Sequence, residues 1–281
     1  MAGMPDRRPP PARRPGRPRP EAGRHEVATG TAEILADWDD PEGWFVMVNG
    51  VPSSYVHLGD PTRLEFEYVR WVGDALDLVA GAGEPLRVLH LGGAGCTLAR
   101  YVAATRPGSS QLVFEHDAEL AGLMRTAFGP PGELGYRIRT VDARAGLAAL
   151  PAGSRDVVIR DAFVGATVPA HLTTVEFCRD VARVLAPGGV YLANVADQAR
   201  ILQARTEAAT MCAVFGQVAL VAEPAQLRGR RFGNVVLVAS DRPLPVDALT
   251  RRLASGAVRG RLVAPDRIAE LVAGISIRSD P

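Results

Sequence analysis

The segment Arg87-Val-Leu-His-Leu-Gly-Gly-Ala-Gly-Cys-Thr-Leu98 constrains this chain more than any other. An apolar run, Val88 to Leu91, enters a glycine-rich turn with Gly92, Gly93 and Gly95, and helix-spaced Leu98, Tyr101 and Val102 follow. A second apolar run then ends in an acid, Glu115, about 20 residues on. Strand, tight turn, helix and acid-tipped strand in that order suit a nucleotide-type ligand. Glycines let the backbone approach the ligand, and a carboxylate at the next strand's tip accepts both ribose hydroxyl hydrogens.

The same alternation continues down the chain. Apolar strands are expected at 87–91, 111–115, 136–141, 156–160 and 190–194, with helical patterns at 97–105, 117–127, 143–150 and 172–185 between them. Continuous apolar strands alternating with helices predict a parallel sheet covered on both faces. After a helix at 197–214, two closely spaced strands, 218–222 and 234–239, suggest an antiparallel pair that brings the sheet to seven strands. Ahead of this body, short strands at 32–36, 44–48 and 53–57 flank Asn49-Gly50, a strong hairpin signal. Pro61 suits the first turn of a helix whose Leu64, Tyr68, Trp71, Val72 and Leu76 share one face. The expected divisions are a tail, 1–24, a hairpin-and-helix unit, 25–85, a ligand-binding body, 86–240, and C-terminal helices, 241–281.

Charge separates the tail from the rest. Residues 1–24 hold seven Arg, seven Pro and two acids, and no Val, Ile, Leu or aromatic residue, so a disordered segment is expected there. It reads either as a basic arm or as a passive extension. Its net +5 against +1 for the whole chain leaves −4 for the remainder, which argues against nucleic acid as a partner. All 32 basic residues are Arg, a mark of coding bias rather than chemistry. Cys96, Cys178 and Cys212 form no C-x-x-C pair, so neither a zinc site nor a disulfide framework is expected. No apolar run reaches the ~18 residues of a membrane span, and the Arg pairs near the start lack a following apolar stretch. A cytoplasmic protein without metal is the expectation.

In an open parallel sheet, ligands bind beyond the carboxyl ends of the strands. The tips carry Gly92, Gly93 and Gly95, then Glu115, Asp142 and Asp161 in turn. No Ser, Lys or Cys at these tips has a base beside it, so no covalent nucleophile is indicated. Cys96 reads as a packing residue, and His57 and His90 as structural. Arg160 is a candidate to neutralise its neighbour Asp161, and His171 is either a nearby base or a surface residue.

Val88 to Thr97, Phe114-Glu-His-Asp117, Val141-Asp-Ala143 and Asp156-Val-Val-Ile-Arg-Asp161 resemble the Rossmann-like class I S-adenosylmethionine-dependent methyltransferase fold. Within that fold, the chain is most similar to the spermidine synthase (polyamine aminopropyltransferase) family. His171-Leu-Thr-Thr-Val-Glu-Phe177, Leu185-Ala-Pro-Gly-Gly-Val190 and the Asn49-Gly50 hairpin add to the likeness, which covers roughly residues 30–240. The resemblance implies that Gly92 and Gly93 pass under the donor's amino-acid or aminopropyl arm, with the adenosyl ligand bound over the turn that ends at Gly95. Glu115 would hold the ribose, Asp142 the adenine amino group with Ala143 beside the ring, and Asp161 would act on the attacking amine. The donor would be decarboxylated S-adenosylmethionine or S-adenosylmethionine, the partner a small-molecule amine, and the assembly a homodimer.

Three departures stand against that pattern. Where the family's turn reads Gly-Gly-Gly-Asp-Gly-Gly, this one reads Gly92-Gly-Ala-Gly-Cys-Thr97, and the acid has become Gly95. A second family Asp, three residues after the catalytic one, is Val164, and a hairpin Gln is Ser53. The nucleotide half is intact and the polyamine half depleted. Three readings therefore stay open: an aminopropyltransferase, a methyltransferase, and a non-catalytic adenosyl-binding relative.

Overall fold

The computed structural model describes residues 19–198, 200–256 and 258–281. An antiparallel sheet comes first, β1 (Gly23–Val27), β2 (Gly30–Ala36), β3 (Gly43–Val48) and β4 (Val51–His57), paired in chain order. Asn49 and Gly50 both take positive φ, 51° and 75°, the tight reversal that matches the strands' right-handed twist. The expected tail boundary at residue 24 falls inside β1, because Gly23 and Arg24 pair with Ile34 and Glu33 of β2. Residues 1–18 of that expected tail lie outside the described residues.

Helix α1 spans Glu67–Leu76 and so begins later than Pro61 suggested. The Asp60 carboxylate accepts from the Thr62 N–H at 2.9 Å and hydroxyl at 2.6 Å, which holds this stretch as a turn. The body follows as β5 (Arg87–Leu91), α2 (Thr97–Thr105), β6 (Ser110–Glu115), α3 (Ala118–Phe128), β7 (Arg137–Thr140), α4 (Ala143–Ala148) and β8 (Arg155–Arg160). Then come α5 (Val175–Val184), β9 (Leu185–Asp197), α6 (Leu202–Cys212), β10 (Gln217–Ala222), α7 (Pro224–Leu227), β11 (Gly233–Ser240), α8 (Val246–Ser255), β12 (Arg261–Val263) and α9 (Pro265–Leu271).

The sheet order is β12-β10-β11-β9-β8-β5-β6-β7, with β7 through β9 parallel and β11 antiparallel to both neighbours. Among the described residues this sheet thus has eight strands, not seven. The extra one, β12, pairs antiparallel with β10 along the edge and is only three residues long. Too short to carry an alternation pattern, it sits where helices were expected. Strand β9 also starts earlier than residue 190, since Leu185 already pairs with Arg155 across a register shift.

Apolar strands bury both faces. Leu89, Leu91, Phe114 and Val158 pack towards α4, α5 and α6, while Val88, Val157, Ile159 and Leu192 pack towards α1, α2 and α8. The chain runs outward through β5, β6 and β7, then returns to β8 beside β5, so a cleft opens between the β5 and β8 tips. The small sheet is fastened over that cleft. Its Ile34, Trp44, Val46 and Val56 pack on Leu120, Met124 and Phe128 of α3. Ser54 Oγ accepts from the Gly95 N–H at 3.0 Å, and Thr97 Oγ1 donates to the Tyr55 carbonyl at 2.8 Å. Thr29 donates both its N–H and its hydroxyl to Asp117 Oδ2, at 2.9 and 2.7 Å.

Candidate active site

A cavity of about 530 Å³ lies over the tips of β5, β6 and β8, roofed by the β3–β4 hairpin and the start of α1. Its volume is that of a small-molecule site, about 300–1,000 Å³. Gly92, Gly93, Glu115, Asp142, Ala143 and Asp161 all line it.

The glycine turn is needed first for packing. Gly92 has φ +98°, and a Cβ there would lie 2.2 Å from the Asp161 carbonyl oxygen. A Cβ on Gly93 would stand 3.2 Å from Glu115 Oε2. With both side chains absent, Gly93 N–H donates to Glu115 Oε2 at 2.9 Å and Ala94 N–H at 3.3 Å. Asp117 N–H donates to Oε1 at 3.0 Å. Burial opposes the Glu115 charge, but hydrogen bonds from His116 and from the Asp117 and Gly93 amides hold its pKa below the ordinary glutamate value. It is an ionised acceptor fixed at the turn. A carboxylate has about four lone-pair sites, so capacity remains for a ligand hydroxyl.

Asp142 caps α4, its Oδ1 accepting from the Arg144 and Ala145 amides at 3.0 Å each. Its Oδ2 meets His171 Nε2 at 2.9 Å. The helix cap and the cavity position therefore coexist in one residue. His171, which sequence left between base and surface, lines the cavity as the partner of Asp142. Burial raises the Asp142 pKa, yet the Ala145 amide and His171 together bring it below the usual value.

Asp161 follows β8 directly. Asn194 Nδ2 donates to its Oδ1 at 2.8 Å and the Tyr68 hydroxyl to its Oδ2 at 3.1 Å. Burial lifts the Asp161 pKa, with these two donors opposing the rise. Tyr68 and Asn194 escaped the sequence reading. Tyr68 looked like one more apolar position on the helix face, and Asn194 closes what reads as a plain apolar strand. Arg160 makes no hydrogen bond to Asp161, although its charge is one of the influences that lower that carboxylate's pKa. Strand alternation sends it to the opposite face, where, fully buried, it pairs with Glu207 and donates to the Asn194 carbonyl.

One other expectation needs correction. Gly95 does not line the cavity. Its amide is taken by Ser54, and a Cβ would come within 2.7 Å of Ser54 Cβ and 2.9 Å of Val56 Cγ2. Its neighbours Gly93, Ala94 and Cys96 do line the cavity. Val164 does line the mouth, 60% exposed, on a loop closed by its own pairing with Thr167. Cys96 is buried, and burial pushes its thiol up to about 12, which makes it a packing residue. His90 is likewise structural, held by Gln111 at 3.0 Å, with burial bringing its pKa down to about 4.

The sheet order, acid-tipped strands and roofed cavity define a protein of the class I methyltransferase fold. Comparison with known proteins narrows this further. A probable spermidine synthase from Corynebacterium glutamicum ATCC 13032 shares 40% identity and superposes with a TM-score of 0.88 over 93% of this chain and 97% of that one. The chain belongs to the spermidine synthase-like family. A polyamine aminopropyltransferase of Vibrio vulnificus (strain CMCP6) is 29% identical over 160 residues, 55% of this chain and 51% of that protein. The chain spans about half the length of the curated relatives it matches. A spermidine synthase in complex with the transition-state analogue AdoDATO shares the fold at TM-score 0.61 and 16% identity, over 89% of this chain and 83% of the other. No protein-family model matches the chain.

Proposed function

We propose that this protein transfers an aminopropyl group from decarboxylated S-adenosylmethionine to an amine. The observation that carries the reading is Asp161, a cavity-lining carboxylate held between Tyr68 and Asn194 beside Gly92 of the glycine turn. Relatives named as polyamine aminopropyltransferases support it, as does the AdoDATO complex of a protein of the same fold.

The residues fit an adenosyl ligand. Glu115 is ionised and keeps acceptor capacity towards a ribose, and Ala143 offers a small, nearly buried surface beside Asp142 for a purine ring. When bound, the donor supplies an electrophilic carbon next to its sulfonium, with a neutral thioether as leaving group. The chain's own part is to position and deprotonate the acceptor. An alkylammonium has no lone pair at pH 7, so Asp161 would orient it and take one proton, and the neutral nitrogen would then attack the carbon as the C–S bond breaks. Tyr68 and Asn194 hold both carboxylate oxygens, which fixes their aim.

The test is product formation by the purified chain with each donor over an amine panel. An aminopropylated amine together with 5′-methylthioadenosine is expected. A methylated product, with S-adenosylhomocysteine, would overturn the reading.

A further inference from the structure

Asp142 and His171 meet at 2.9 Å on the cavity wall, yet their side chains are 47% and 46% exposed, so packing does not fix them. An ion pair that open to water is weak and does little by itself to hold two side chains in one geometry. His171 sits on a short 3-10 turn, Ala170–Leu172, and its carbonyl accepts from Arg144 Nη1 at 3.4 Å. Arg144 is gripped in turn by a carboxylate 136 positions further along the chain. Asp280 Oδ1 and Oδ2 accept from its Nη1 and Nη2 at 2.7 and 2.5 Å. A planar fork on a carboxylate fixes direction as well as attraction. The Arg144 hydrogen bond leads in holding the Asp280 carboxyl down to about 2, and Asp280 leads in raising the Arg144 pKa, so both stay charged at neutral pH.

Asp280 is itself anchored. The Arg278 carbonyl accepts from the Val175 N–H at 2.8 Å, one of the open amides at the start of α5, and the Arg278 N–H donates to Thr210 Oγ1 of α6 at 3.1 Å. The Arg278 guanidinium donates to Thr173 Oγ1 at 3.0 Å and to Gln203 Oε1 at 2.6 Å, and the Asp280 N–H to Glu176 Oε2 at 2.9 Å. Ile277 beside these residues is 48% exposed, so this strap is not held down by burying that apolar side chain. Residues 278–280 are stitched to α5 and α6 by polar bonds, and they present one carboxylate to Arg144 on α4.

We infer that Asp280 is a positioning residue for adenine recognition: through Arg144 it sets the turn that holds His171 against Asp142, and so presents Asp142 to the 6-amino group of an adenosyl ligand. The inference rests on the reading of the cavity as an adenosyl-ligand site with Asp142 at the base, and not on which group is transferred. Asp142 Oδ1 serves the two α4 amides, and His171 takes one direction at Oδ2. The second lone pair of Oδ2 is left for an amino N–H. Without Asp280 the fork on Arg144 is lost, the His171 turn is tied less firmly to α4, and Asp142 Oδ2 is free to turn towards water.

The experiment is calorimetry on the full chain with 5′-methylthioadenosine and with 5′-methylthioinosine, which carries an oxygen in place of the 6-amino group. Native protein should prefer the adenosine by at least about tenfold, since an ionised acceptor facing the inosine carbonyl is left unpaired. Asp142→Asn, which keeps a side chain able to cap α4, should abolish the preference, because its amide can donate to that carbonyl. Asp280→Asn should reduce the preference by about three- to tenfold, within the coupling range of residues in one hydrogen-bond network. Asp280→Glu, which keeps the charge, should restore part of it. A purely structural role would weaken both nucleosides alike or lower the stoichiometry, leaving their ratio in place. Asp280→Asn with the native ratio beside an Asp142→Asn that has lost it overturns the inference and leaves Asp142 at the base. No preference in native protein, or a full preference in Asp142→Asn, overturns both.

Discussion

Tyr68 donates its phenolic hydrogen to Asp161 Oδ2 at 3.1 Å, although the two stand 93 positions apart. This bond ties the first helix to the tip of β8 and, with Asn194 on the other oxygen, makes Asp161 a carboxylate gripped from both sides. Burial raises its pKa while the two donors lower it, so removing one donor must raise it further.

Tyr68→Phe therefore has a predicted sign in pH. Asp161 accepts a proton only when ionised, so activity falls as pH drops through its pKa. Without the phenol that acid limb of kcat/KM should move up by about one to two pH units, given roughly 1.5–3 kcal/mol for a hydrogen bond to a charged group. A pH–rate profile that stays put, or moves down, would contradict the role given to Tyr68.

Asp161→Asn should abolish transfer while leaving adenosyl-ligand affinity within about twofold, because an amide cannot take the amine's proton. Single-turnover product analysis and calorimetry with 5′-methylthioadenosine separate the two effects. Full activity in this variant would refute the assignment.

Glu115→Ala should weaken 5′-methylthioadenosine binding by about 30- to 150-fold, roughly 2–3 kcal/mol for a lost charge-assisted pair. The Gly93 and Asp117 amides also lose their acceptor, so a lower melting temperature should accompany the change. Unaltered affinity by calorimetry would remove Glu115 from the ligand site.

Ala94→Asp and Val164→Asp should each tighten 1,4-diaminobutane binding several-fold by adding a carboxylate to the cavity. Ala94 has φ +34°, a left-handed region in which Asp is enriched, so the backbone favours the change. Gly95→Asp should instead destabilise the fold, since its Cβ would press on Ser54 and Val56. Melting curves beside diamine titrations decide this, and a stable, tighter-binding Gly95→Asp would reverse the placement.

Glu207→Gln should cost stability. Arg160 and Glu207 are both buried, and leaving one charge unmatched typically costs about 3–5 kcal/mol. The double change Arg160→Met/Glu207→Met should recover much of the loss in chemical denaturation. A double variant no better than the single one would contradict the pair's coupling.

Much of the fold was legible because its signals are local. Asn49-Gly50 fixes a hairpin through the φ each residue tolerates, and β5, β6 and β8 announce themselves by unbroken apolar runs. What stayed hidden depends on tertiary pairing. β12 exists only because β10 offers it an edge, and the Asp60 turn displaces α1 from Pro61 through a side-chain contact rather than a propensity. At the site, the strand-tip acids could be read off the chain, but the meeting of Tyr68, Asn194 and Asp161 could not. That Gly95 turns away from the cavity while Ala94 lines it could not be read from the turn's sequence either. Which residue faces the cavity is decided by Ser54, on another sheet.

The bond between Ser54 and the Gly95 amide, with that between Thr97 and Tyr55, has an evolutionary and engineering consequence. The floor and the roof of the cavity are joined at Gly95 of the turn after β5 and at Thr97, the first residue of α2, so neither is an interchangeable part. A chimera that grafts the roofing strands of a relative onto this body inherits a mismatched seam under the ligand unless position 54 and the loop travel together. Divergence in this lineage should accordingly proceed by paired replacement on the two sides of that seam, with acceptor preference and loop sequence drifting in step.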